Sequence, residues 1–138
     1  MKVVLDTNVL LVSISDRSKH HWIYDYLIRR KYEICISNQI ITEYEEIIGR
    51  RWHPSVAKSV MRTLLELPNI HFTAVYFNLN LIPNDPDDNK FADCAFASNC
   101  KYIVTEDKHF NALNQILFPR IEVWNMEKFK QELYESPA

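Results

Sequence analysis

Lys2-Val3-Val4-Leu5-Asp6-Thr7-Asn8 is the stretch that decides the fold. Val3, Val4 and Leu5 form a β-branched, apolar run without polar alternation, the pattern of a parallel strand buried on both faces. The run stops on a carboxylate. In an open parallel α/β sheet the carboxyl ends of the strands face one crevice, and ligands bind there. A charge placed directly after a buried strand costs several kcal/mol unless it is paired or metal-bound. The plainer alternative is an Asp capping a turn built from Thr7 and Asn8, and for Asp6 taken alone the two readings weigh equally. Apolar Val9-Leu10-Leu11-Val12 follows and tucks the turn inside, which tips the balance towards a site.

Outward from this strand, the chain alternates. His20 to Arg30 carries a helical stripe of Trp22, Ile23, Tyr26, Leu27 and Ile28. Glu33 to Ile36 reads as a second strand, and Ser37-Asn38 supplies cap chemistry for a helix running to about Gly49. Pro54 starts a further helix. His71 to Phe77 alternates as a third strand, and residues 78–87 form a polar, proline-bearing loop. A helix of small residues spans Asp88 to about Ala97, and Lys101 to Thr105 is the fourth strand. A short helix around His109–Leu113 leads to a strand at Ile121–Trp124, and Met126 to Leu133 closes as a helix. Strands alternating with helices call for a mostly parallel sheet covered on both faces, in a single α/β domain over residues 1–138.

Composition removes several functions. The one glycine, Gly49, leaves no GxGxxG or P-loop to cradle a nucleotide. A net charge of −2 lacks the basic field of a strong nucleic-acid binder, although Arg29-Arg30-Lys31 and Arg50-Arg51 are local basic clusters. Three cysteines without a CxxC pair read as buried or semi-buried thiols in a reducing cytosol. No apolar run approaches a membrane span, so a cytoplasmic location is expected. The five histidines make no zinc pattern and read as exposed or satisfied. Trp22, Trp52 and Trp124 read as core or interface residues.

Three further acids sit where strands end or helices begin. Asp107 follows the fourth strand in Thr105-Glu106-Asp107, with a helix cap as its alternative. Period-two logic sends Glu106 to the opposite side. In Asp85-Pro86-Asp87-Asp88, capping explains at least one acid; Asp88 is the choice because it shares a face with Ala92 and Ala95, with Asp85 and Asp87 as secondary candidates. Asp93 points elsewhere on the wheel and reads as solvated. Glu43 lies at the edge of the stripe formed by Ile40, Ile41, Tyr44, Ile47 and Ile48, and is favoured modestly over Glu45 and Glu46. Two like charges about 4 Å apart repel by about 4 kcal/mol at an effective dielectric of about 20. Four such acids persist together only if protons or a cation neutralise them, and oxygen ligands suit Mg²⁺ or Mn²⁺.

Val4-Leu5-Asp6-Thr7-Asn8-Val9-Leu10, Ser37 with Glu43, Asp85-Pro86-Asp87-Asp88 with Ala95, and Val104-Thr105-Glu106-Asp107 together resemble the four motif regions of PIN-domain ribonucleases. The whole chain is similar, and within the family it most resembles the VapC-like toxins of toxin–antitoxin pairs. The resemblance implies a three-layer α/β/α sandwich with a five-stranded parallel sheet. It also implies a Mg²⁺ or Mn²⁺ site, and catalysis, at the positions matching Asp6, Glu43, Asp88 and Asp107. Thr7, Asn8, Ser37 and Thr105 match supporting polar positions. Glu106 stands where a glycine or basic residue is common, and Asn99-Cys100 replaces a usual Gly-Ala; neither removes a ligand.

The implied activity is hydrolysis of RNA phosphodiester bonds, with RNA as substrate, a small antitoxin protein as partner, no membrane, and a homodimer as a family habit. Lys90, Lys108 and the arginine clusters are candidates for orienting the backbone. The alternative is a catalytically inactive PIN-like module that binds RNA or protein, against which the intact acid set argues. A haloacid-dehalogenase-type phosphatase wants a second Asp where Asn8 stands. A receiver domain wants a lysine-bearing strand end that does not match well here.

Overall fold

Lys2–Leu5 forms the central strand β1 of a computed structural model that describes residues 1–82, 86–117 and 119–135. Val3, Val4 and Leu5 are fully buried, as a strand covered on both faces requires. The remaining strands are β2 (Glu33–Ile36), β3 (Ile70–Phe72), β4 (Tyr102–Val104) and β5 (Glu122–Trp124). Their order is β3-β2-β1-β4-β5, and every neighbouring pair is parallel. The chain builds outward from β1 to β3, then crosses back to add β4 on the other side of β1. That reversal creates the switch point between β1 and β4, where Leu5 pairs with Val104 and both strands end.

The helices are α1 (Thr7–Ser13), α2 (His21–Ile28), α3 (Asn38–Arg51), α4 (Pro54–Glu66), α5 (Asn89–Ala97) and α6 (Met126–Glu135). By the right-handed crossover rule, this strand order sends α1 to α4 to one face of the sheet and α5 to the other, in three layers. Consistently, α3 packs on α4 and α1, while α5 packs on β1, β2 and β4. Phe129 of α6 is fully buried, tilted against Trp22 of α2 at 5.6 Å and edge-on to Tyr32 at 4.9 Å between ring centroids. Cys35, Cys94 and Cys100 are buried and free, as expected for structural thiols.

The structure corrects the expected secondary-structure elements in three places. The stretch after Asp6 is not a tucked turn but helix α1, with Val9 and Leu10 inside. The third strand stops at Phe72, far short of Phe77; its last ladder bond runs from the Thr73 amide to the Ile36 carbonyl at 2.8 Å. Phe72 and Tyr76 are exposed, so alternation there reports an uncovered edge and loop instead of a buried face. The short helix expected at His109–Leu113 is a longer 3₁₀ segment, Lys108–Gln115.

Candidate active site

Asp6 leaves β1 in an extended conformation, and its backbone carbonyl accepts the amides of Val9 at 3.0 Å and Leu10 at 3.3 Å to start α1. Its side chain makes no capping bond to that helix. Instead the Thr105 hydroxyl donates to Asp6 Oδ2 at 2.7 Å, across the switch point. The same Thr105 oxygen accepts the Asp107 amide at 3.0 Å. Thr105, the buried residue after β4, therefore ties the two strand-end acids to one hydroxyl. Burial raises the Asp6 pKa above the ordinary carboxylate value. The Thr105 and Thr7 hydrogen bonds oppose the rise, and negative Glu43 and Asp107 add to it.

Asp107 serves two purposes. Its Oδ1 accepts the His109 amide at 2.9 Å, so the plain capping role is realised. It also lies 3.3 Å from His109 Nδ1. Asp88, Asp107 and His109 each offer one donor atom, and these atoms all fall within 4.8 Å of one another. Two carboxylate oxygens and an imidazole nitrogen form a donor set that suits a divalent cation. Asp88 ends a 3₁₀ turn, Pro86–Asp88, and makes no capping bond to α5; its Oδ2 is shielded from solvent.

Glu43 is held differently. Its Oε2 accepts the Thr7 hydroxyl, and its Oε1 meets Lys90 Nζ at 2.8 Å. Lys90 also pairs with Asp87 at 3.0 Å and donates to the Asp87 carbonyl at 2.6 Å. Burial works against the Lys90 charge, yet Glu43 and Asp87 raise its pKa, while Lys90 lowers that of Asp87. The next residue, Tyr44, donates its buried hydroxyl to the Leu5 carbonyl at 2.6 Å, registering α3 against the end of β1. Ser37 caps α3 by accepting the Ile40 amide at 3.4 Å. Asn8 is exposed, and with Asp6, Asp107 and Glu106 it lines a cavity of about 310 Å³. A larger cleft of about 670 Å³ lies on the α3 side, lined by Asn38, Glu43, Arg50, Asp87 and Lys90 among others. Chemistry singles out the smaller cavity, because it holds the strand-end acids.

The structure thus gathers Asp88 with Asp107 and joins Asp6 to Asp107 through Thr105, while Glu43 answers to Lys90. Asp85 lies outside the described residues, and Asp87 faces Lys90. Asp93 is a correction: it is buried, and it accepts the Leu79 amide at 3.0 Å. One turn earlier, Asn89 brackets Ile82, accepting its amide at 2.8 Å and donating to its carbonyl at 3.1 Å. These two residues fix the segment that leads into the acids. Glu106 is not sent to the opposite side as alternation suggests: it accepts the Met126 amide at 2.7 Å and lines the same cavity as Asp6 and Asp107, because the chain has left the strand before it. His109 was hidden in the sequence among scattered histidines; its signal is its place two residues after a capping Asp.

No curated protein matches this sequence. Its fold is shared by several solved structures, two of which illustrate the likeness. One is VapBC2 from Rickettsia felis bound to a DNA fragment from the VapBC2 promoter, at 16% identity and a TM-score of 0.59, covering 91% of this chain and 98% of that one. The other is VapC20 of Mycobacterium tuberculosis, a sarcin–ricin loop cleaving toxin, at 12% identity and a TM-score of 0.59, covering 86% and 98%. A family model described as the PIN domain matches residues 2–109. With that match running from the first strand past Asp107, this chain belongs to the PIN-domain family.

Proposed function

We propose that this protein is a divalent-metal-dependent ribonuclease and the toxin of a toxin–antitoxin pair, working in the cytoplasm on RNA. The observation that carries the reading is the convergence at the β1–β4 switch. Thr105 bridges Asp6 and Asp107, and Asp88 stands within 4.8 Å of Asp107 and His109 at its donor atoms. Supporting it are membership of the PIN-domain family and a fold shared with two VapC-type structures.

Mg²⁺ or Mn²⁺, when bound, supplies Lewis acidity to a water and to the phosphodiester. Asp88 and Asp107 are the residues to hold it, with Asp6 behind them and Glu43 acting directly or through water. Asp6 contributes a buried negative charge, kept in place by Thr105. Thr7 holds the Glu43 carboxylate. Arg50, at the larger cleft, and Lys108, next to Asp107 in the chain, are suited to the RNA backbone, whereas Lys90 is taken up by Glu43 and Asp87. No protein nucleophile is needed. Among the described residues no helix is long and apolar enough to cross a membrane. A small antitoxin protein is the proposed partner, and a homodimer the proposed assembly.

The test is cleavage of mixed RNAs with Mg²⁺, Mn²⁺ or EDTA, by wild type, Asp6→Asn and Asp107→Asn. Metal-dependent cleavage lost in both variants supports the proposal. Cleavage that survives EDTA, or equal cleavage by the variants, would sink it. An inert wild type that still binds RNA would favour the binding-module alternative. For the toxin role, expression should arrest growth, and co-expression of a small adjacent reading frame should relieve the arrest. Arrest that persists with Asp6→Asn would point away from nuclease action.

A further inference from the structure

We infer that His109 completes a mixed oxygen–nitrogen cation site with Asp88 and Asp107, and that this site favours a first-row transition dication over Mg²⁺. The inference rests on the metal-dependent reading above and adds a ligand outside the four acids. Three observations carry it. The donor atoms of Asp88, Asp107 and His109 lie within 4.8 Å of one another, a spacing that a single ion can span. The turn that presents the imidazole is fixed, because Asp107 Oδ1 accepts the His109 amide at 2.9 Å and sits 3.3 Å from its ring Nδ1. Glu43, the remaining acid on the helix side, is committed to Lys90 and Thr7. Within this group of donors, the ring is the third protein donor to a cation at Asp88 and Asp107.

That donor changes the choice of metal. Mg²⁺ demands an octahedral set of oxygens and is reluctant to give up its waters. Imidazole nitrogen suits first-row transition ions, whose affinity for nitrogen-bearing sites rises along the Irving–Williams order. The His109 side chain is 53% exposed, so an ion can reach it from solvent. The competing account of the same geometry is that His109 is a hydrogen-bonded neighbour of Asp107 and nothing more. The two accounts differ in what the ring nitrogen does when metal is added.

The experiment uses the full chain with Mn²⁺ as the probe. Free Mn²⁺ is followed by electron paramagnetic resonance with Mg²⁺ as competitor, and pulsed measurements detect nitrogen hyperfine coupling. Wild type should bind Mn²⁺ with nitrogen coupling. His109→Ala and His109→Gln should lose the coupling and about tenfold or more in Mn²⁺ affinity, the scale on which even outer partners of metal ligands act, while Mg²⁺ affinity changes by less than about threefold. Two variants at an exposed position guard against a folding defect in one of them, and circular dichroism checks both. Bound Mn²⁺ without nitrogen coupling, or coupling that survives in both variants, would overturn the His109 assignment and leave the metal-dependent reading intact. Wild type that binds no Mn²⁺ would overturn both. Nitrogen coupling lost on His109 substitution, in a protein that cleaves no RNA, would support the site while removing the ribonuclease.

Discussion

On the helix side of the crevice, Glu43 meets the Lys90 ammonium at 2.8 Å and the Thr7 hydroxyl. On the strand side, Asp6 meets the Thr105 hydroxyl at 2.7 Å, and its charged neighbours Glu43 and Asp107 both repel it. One side carries its own counter-ion; the other holds negative charge that hydrogen bonds position but do not cancel. Four acids in one family pattern are therefore not equivalent. A cation entering this crevice gains most where the field is uncompensated, at the strand ends.

The largest effect is expected from Asp107→Asn, which removes a carboxylate oxygen and one of the two charges that repel Asp6. RNA cleavage should fall by about a hundredfold or more, the scale on which removal of one electrostatic stabiliser acts. Cleavage within a few-fold of wild type, in a gel assay with Mn²⁺, would show that catalysis does not depend on the strand-side charge. Next, Lys90→Met strips the helix side of its counter-ion and leaves Glu43, whose side chain is 21% exposed, unbalanced. Stability to urea should fall by about 2 kcal/mol, less than for a wholly buried pair because water still reaches the carboxylate. Adding Glu43→Gln to Lys90→Met should restore most of that loss, and a double variant no more stable than Lys90→Met alone would show that the ion pair is not the cause.

The strand side predicts the opposite sign. Asp6 has a folded pKa above its unfolded value, so the folded state binds the proton more tightly. Its contribution is fully present below the ordinary carboxylate pKa of about 3.9 and is lost as pH rises through the raised folded value. At neutral pH with EDTA, Asp6→Asn should therefore melt higher than wild type, by an amount worth about 1 kcal/mol. The advantage should shrink as the solution is acidified through that window. A variant that melts lower than wild type at neutral pH would contradict the uncompensated charge. The smallest effect is Ser37→Ala, which removes the cap of the helix that carries Glu43 and should cost about 0.5–1 kcal/mol by urea denaturation. Its metal affinity should match wild type, since the strand side is untouched.

Much of this fold was legible because the central strands announce themselves. Val3-Val4-Leu5 and Tyr102-Ile103-Val104 are short apolar runs that each stop on polar residues, and buried parallel strands require that pattern. The short α1 was not legible, since Val9, Leu10 and Val12 fit a buried turn as well as a helix, and tertiary packing decides between them. The third strand was overextended because alternation in residues 71–77 marks exposure at an edge as readily as a half-buried strand. At the site, Asp6 and Asp107 could be found from strand ends. Glu43, one of several glutamates on its helix, needed the family pattern. The role of Asp93 and the closeness of His109 to Asp88 depend on how distant segments meet, which periodicity does not encode.

Asn89 follows Asp88 directly, and its amide grips Ile82 through both backbone polar groups. A side chain here does the work of a neighbouring strand, giving an irregular stretch the pairing it would otherwise lack. The acid and its anchor are consecutive residues, so whatever happens upstream of Ile82 ends at a fixed post before it reaches Asp88. A change in the chain ahead of that post is therefore absorbed at Ile82, which Asn89 holds from the position next to the carboxylate.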